Sequence, residues 1–148
     1  MHKLATILVT ISALSGSVAN AGAPTVLGAW HYLGGRTIVT IAPCPGSPSQ
    51  LCGALTALAK PLDANGHAVV DSKNPNPALR NRPILGLNLL SGFTPAGGGV
   101  WAGKIYDPGS GNTFDSKFNL AANADLTVKG CIGILCVTQD WTRTLTKP

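Results

Sequence analysis

Thr113-Phe114-Asp115-Ser116-Lys117-Phe118-Asn119-Leu120-Ala121 is the stretch whose reading decides the fold. Extended, it puts Phe114, Ser116, Phe118 and Leu120 on one face and Asp115, Lys117 and Asn119 on the other. Alternation at period two places one face on a core and the other in water, the pattern of a half-buried β-strand. The run before it reads alike, with Trp101, Gly103 and Ile105 opposite Ala102, Lys104 and Tyr106. Between the two lies Asp107-Pro108-Gly109-Ser110-Gly111-Asn112, dense in turn formers. Downstream, Asn123-Ala124-Asp125 makes a turn, and Leu126 and Val128 alternate with Thr127 and Lys129. The last run, Val137 to Leu145, sets Val137, Gln139, Trp141, Arg143 and Leu145 against Thr138, Asp140, Thr142 and Thr144. Four such runs in succession predict an antiparallel meander.

The N-terminal half supplies strands at Leu27 to Leu33, Thr37 to Ala42, Leu51 to Ala59 and Leu85 to Leu90, with a short one near Ala68 to Val70. The expected fold class is therefore all-β, a single antiparallel barrel of eight to nine strands. Closing the sheet removes its edges; a sandwich is the alternative. Composition agrees. The 148 residues include 18 Gly and 11 Pro and no Glu, so strong helix formers are scarce and a helix bundle or coiled coil is excluded. With 45% hydrophobic and 11% charged residues the chain folds rather than staying disordered. Asp71 to Pro83 is a long irregular loop, because Pro75, Pro77 and Pro83 forbid a continuous ladder or helix.

Met1-His2-Lys3, the apolar run Leu4 to Leu14 and the small residues Ala19-Asn20-Ala21 read as a secretory signal peptide over residues 1–21. Residues 22–148 then form one domain, with no transmembrane segment. The expected localisation is periplasmic or secreted, in a bacterial setting. Four cysteines suit an oxidising destination. They allow three pairings, of which Cys44–Cys52 and Cys131–Cys136 are favoured, because each brackets a turn. The spacings C-x₇-C and C-x₄-C do not suit zinc, so no metal is expected.

Gly28-Ala29-Trp30 opens the first strand and Arg143 closes the last. A barrel brings those strands together, where a guanidinium can stack on an indole and plug one end. The pair resembles the G-x-W and C-terminal Arg pattern of the calycins, the lipocalin and fatty-acid-binding superfamily. A longer resemblance runs through Asp71-Ser72-Lys73-Asn74-Pro75-Asn76-Pro77-Ala78-Leu79-Arg80-Asn81-Arg82-Pro83, then Leu85-Gly86-Leu87 and Ser91-Gly92-Phe93. Leu51-Cys52-Gly53, Trp101 with Lys104 to Pro108, Gly130 to Gly133, and Gln139 to Arg143 extend it. Together these pieces resemble a bacterial family of small exported proteins known as domain of unknown function 2147. The resemblance implies a lipocalin-like barrel and carries no activity with it.

Two sets of residues are candidates for function. Lys73, Arg80 and Arg82 on one loop can clamp a carboxylate or phosphate headgroup, oriented by Asp71 and Asn74. Alternatively, Arg80 or Arg82 pairs with Asp71 or Asp107 and pins the loop to the barrel. The interior is the other candidate: Trp101, Ile105, Phe114, Phe118 and Leu120 can line an apolar cavity, or the core can be filled. No catalytic residue and no cofactor is expected, because His31 and His67 lack a matching nucleophile motif and no glycine pattern sits at a strand-to-helix junction. The basic residues are scattered, which disfavours nucleic acid as a partner. The leading expectation is an exported barrel binding a small hydrophobic or amphipathic ligand. The alternative is a non-enzymatic cell-envelope interaction protein with a filled barrel, and a hydrolase comes third.

Overall fold

The computed structural model describes residues 24–32 and 35–144. The expected signal peptide, and the outermost residues Leu33 and Leu145 of two expected strands, lie outside them. Eight strands form a closed antiparallel barrel in simple up-and-down order: β1 (Gly28–Tyr32), β2 (Thr37–Cys44), β3 (Ser47–Ala57), β4 (Asn88–Pro95), β5 (Trp101–Asp107), β6 (Asn112–Leu120), β7 (Leu126–Ile132) and β8 (Leu135–Arg143). β1 meets β8 at Trp30↔Arg143 and His31↔Thr142, which closes the cylinder. The regular ladder between β5 and β6 pairs Ile105 with Phe114 and Trp101 with Phe118, so the faces read from sequence become the inner wall.

Up-and-down connectivity gives the barrel two unlike ends. One end collects the N-terminal segment and the turns at Pro45-Gly46, 96–100 and 121–125. Its interior is solid. Trp30, Ile41, Phe93, Phe118, Leu126 and Trp141 are fully buried there. Phe93 and Phe118 stack with ring centroids 4.5 Å apart, and Trp101 lies 6.4 Å from Phe118; such aromatic pairs add about 0.5–1.5 kcal/mol beyond the area they bury. Arg143 seals this base from outside, with its guanidinium over the Trp30 ring. Arg143 also donates to the carbonyls of Leu27 and Thr25, strapping the N-terminal segment across the floor. The Trp30 indole donates to the Val26 carbonyl at 2.9 Å. Gly28 has φ of +113°, and a Cβ there would stand 3.1 Å from Arg143 Nη1. The glycine of G-x-W is thus required both by backbone conformation and by the guanidinium that covers the tryptophan.

Several boundaries differ from the sequence reading. The run expected at Leu85 to Leu90 is a strand only from Asn88, and β4 continues to Pro95. Ile84 to Leu87 instead makes a turn, with the Leu87 amide donating to the Ile84 carbonyl and Gly86 at φ +87°. β3 starts at Ser47 rather than Leu51. Its Pro48 is tolerated because the register shifts between Cys44↔Ser47 and Pro43↔Leu51, leaving that part without ladder bonds to β2. Residues 68–70 form isolated bridges, Leu62↔Ala68 and Val70↔Pro83, and no ninth strand of the barrel is present among the described residues. Disulfides join Cys44 to Cys52 and Cys131 to Cys136, each tying adjacent antiparallel strands near a hairpin turn. On the chain-entropy account such short loops stabilise by about 2–2.5 kcal/mol each.

Candidate functional site

The opposite end of the barrel is hollow. A cavity of about 800 Å³ opens there, walled by Leu55, Leu89, Ile105, Phe114, Val128 and Gly130, with Ile132, Leu135 and Val137 at its lip. The wall follows from the strand pattern. Ile105 and Phe114 are register partners on β5 and β6, and Val128, Gly130 and Ile132 alternate inward along β7. At Gly130 the wall carries no side chain, and the cavity gains that volume. Leu58 and Ile84, from the ends of the long β3–β4 connection, extend the wall above the strands.

Polar side chains in the lining are few: Tyr32, Thr37, Tyr106, Asp107 and Gln139. Asp107 is the one formally charged residue among the described lining residues. Its carboxylate accepts from the Gly109 amide at 3.0 Å and the Ser110 hydroxyl at 2.7 Å. Burial, and then the Asp107 charge, raise the Tyr32 hydroxyl above its ordinary pKa, against a hydrogen bond with Gln139. The phenol therefore remains a neutral donor at physiological pH.

The loop motif Asp71 to Pro83 resolves into a single polar lock. Asp71 is fully buried. Its Oδ1 accepts from the Tyr106 hydroxyl at 2.7 Å. Its Oδ2 accepts from Asn74 Nδ2 at 2.7 Å and from Arg82 Nη2 and Nε at 2.8 and 3.0 Å. The Asp71 amide in turn donates to the Arg82 carbonyl. Asn74 also donates to Tyr106 Oη, and Arg80 Nε donates to the Asn74 carbonyl at 2.8 Å. Burial acts to raise the Asp71 pKa. The hydrogen bonds from Tyr106, Asn74 and Arg82, with the Arg82 charge, outweigh it and hold the carboxyl below its ordinary value. Burial and the neighbouring Asp71 raise Tyr106. A buried carboxylate is tolerable only with this degree of compensation. The loop is thereby fixed to the open end of β5. At Gly111 (φ +76°) it approaches so closely that a Cβ would come 1.9 Å from the Lys73 carbonyl oxygen.

The two candidate sets thus fare differently. Lys73, Arg80 and Arg82 do not converge on a common point: Arg82 is engaged by Asp71, Arg80 holds the loop backbone, and Lys73 is exposed. Asp71 and Asn74 are buried in the lock and are not presented to a ligand. Of the five interior candidates, Ile105 and Phe114 line the cavity. Trp101, Phe118 and Leu120 belong to the packed base instead, because they lie on the halves of β5 and β6 nearer the floor. The sequence reading missed Tyr32, Leu55, Leu89, Gly130 and Gln139. For Gly130 and Ile132 the signal was present, since the period-two pattern of Leu126 and Val128 continues through both.

An up-and-down eight-stranded barrel, plugged at one end by a Trp–Arg pair and hollow at the other, is a lipocalin-like barrel. A solved structure with the same architecture is protein HP1028 from the human pathogen Helicobacter pylori, described as belonging to the lipocalin family. It superposes with a TM-score of 0.67 at 22% identity, over 84% of this chain and 86% of that one. The family described as "Uncharacterized protein conserved in bacteria (DUF2147)" matches residues 28–143, and the chain belongs to that family. No curated protein matches it.

Proposed function

We propose that the protein is a carrier that holds a small hydrophobic or amphipathic molecule in the barrel cavity, and that it is not an enzyme. The observation that carries this reading is the cavity itself. About 800 Å³ of apolar-walled space lies within the roughly 300–1,000 Å³ range of small-molecule sites. A core meant only to be packed does not leave such a volume empty. The lining further selects the ligand. With Asp107 and no cation among the described lining residues, a buried carboxylate or phosphate would find no counter-charge. The ligand therefore buries a neutral or cationic group beside Tyr32, Gln139 and Asp107, and places its apolar body against Leu55, Ile105 and Phe114.

Two disulfides and membership of a bacterial family support residence in an oxidising compartment such as the periplasm, reached by cleavage of residues 1–21. His31 bonds the Gly35 carbonyl and His67 lies beside Asp63, both away from the cavity lining, which supports a carrier over a hydrolase. The test is displacement of the neutral dye N-phenylnaphthylamine, together with mass spectrometry of protein purified from its native host. Saturable dye binding displaced by fatty alcohols or amines, and poorly by fatty acids, is the expected result. Absence of both dye binding and co-purified lipid would leave the filled-barrel interaction protein as the better reading.

A further inference from the structure

The β7–β8 hairpin ends in Cys131-Ile132-Gly133-Ile134-Leu135-Cys136-Val137. Four of these residues are large, apolar and bare: Ile132 is 64% exposed, Ile134 97%, Leu135 75% and Val137 66%. This is the densest cluster of exposed aliphatic side chains among the described residues. Three of the four also line the lip of the cavity, so one apolar surface runs from the interior out onto the tip. The Cys131–Cys136 bond ties the strands at the neck, so the tip projects as a braced finger. A contiguous apolar projection on an otherwise ordinary surface marks a binding surface.

Charge identifies its occupant. The connections that surround the mouth carry exposed Arg36, between β1 and β2, and exposed Lys60, Lys73 and Arg80, between β3 and β4. Exposed Lys129 stands on β7 behind the tip. Asp63, Asp107 and Asp115 are the acids at this end that the loop lock leaves unused, and Asp115, the register partner of Cys131, is paired with Lys104. The turns at the opposite, solid end carry only Asp125 as a formal charge among the described residues. Cations are thus gathered around the mouth and the apolar finger. Two copies meeting finger to finger would bring like-charged rims together, which disfavours self-association through this end.

We propose that the open end docks on an anionic lipid surface, with the Ile132–Leu135 tip inserted at the headgroup boundary and the basic rim against the lipid phosphates. This deepens the carrier reading, on which it rests for its purpose: the cavity mouth would face the source of its ligand. Insertion stays shallow, because the main chain of a two-stranded finger has polar groups that hydrocarbon cannot satisfy. Docking is reversible and salt-sensitive, because it joins a small apolar area to screened charge attraction.

The test is co-sedimentation of the full protein with vesicles of phosphatidylglycerol and phosphatidylcholine, against vesicles of phosphatidylcholine alone. Binding is expected only to the first, and high salt should weaken it at least tenfold. Ile134→Asp should lose vesicle binding by at least tenfold while binding N-phenylnaphthylamine in solution as the parent does, since Ile134 is not part of the cavity wall. Ile134→Trp should show a blue-shifted emission on the anionic vesicles. Failure of the parent protein to bind those vesicles, or undiminished binding by Ile134→Asp, overturns the proposal. So does a parent dimer in sedimentation equilibrium that Ile134→Asp dissociates, which would make the finger a contact between copies. Vesicle binding without any dye binding would instead retain the docking surface and remove the carrier reading.

Discussion

The guanidinium of Arg143 lies 4.2 Å from the centroid of the Trp30 indole, at the register pair where β8 meets β1. The contact therefore joins the two ends of the strand order and covers a fully buried aromatic of the floor. Arg143→Ala removes the stacking and the donors to the Leu27 and Thr25 carbonyls, at an expected cost of about 2 kcal/mol. Arg143→Lys should recover only part of this, because an ammonium neither stacks flat nor forks. Thermal unfolding checks both. Dye affinity should be unchanged in either variant, since the floor is at the far end from the cavity.

Arg82→Ala leaves the Asp71 carboxylate buried without its cation. Breaking such a pair by removing one partner costs about 3 kcal/mol, the lower part of the usual range because Arg82 is itself part-exposed. Tyr106→Phe removes one donor to the same carboxylate and should cost about 1.5–3 kcal/mol. The two losses should not add, because both variants act on one network. A double-mutant cycle read by urea unfolding tests this; strict additivity would contradict a single lock.

Acid should release the same loop. The Asp71 pKa is depressed in the folded protein, so its contribution to stability is fully present above the ordinary carboxylate value of about 3.9 and is lost as pH falls through the folded value. Melting temperature should therefore drop below about pH 4. The Asp71→Asn variant should start lower at neutral pH and fall less in acid.

Gly130→Leu puts a side chain into empty space beside Ile105, whose Cγ2 stands 3.6 Å from the position of an added Cβ. The backbone there is ordinary extended strand, so the substitution carries no conformational strain. Dye affinity should fall at least tenfold while the melting temperature holds or rises, because a void is being filled. Loss of the fold instead would mean that this region is already packed.

Much of the barrel was legible because period-two alternation is a local property. The faces of β5 and β6, the turn between them and both hairpin disulfides can be read from residues that are neighbours in sequence. β4 was misplaced because Leu85 to Leu90 is apolar enough to look like a strand, while Ser91 and Gly92, inside the true one, look like a stop. The role of the loop motif was ambiguous for a different reason. The donor that settles it, Tyr106, lies 35 residues away from Asp71. The cavity was illegible in the same way: whether facing side chains meet across a barrel depends on which sit at the same height, and Phe118 and Phe114 differ in height by two repeats of the pleat pattern.

The division of the cylinder into a solid floor and a hollow upper storey separates endurance from the shape of the interior. Trp30, Phe93, Phe118 and Trp141, which fill the floor, are not among the residues that line the cavity. Substitutions on the upper wall can thereby reshape the hollow, residue by residue, while the floor keeps the barrel standing.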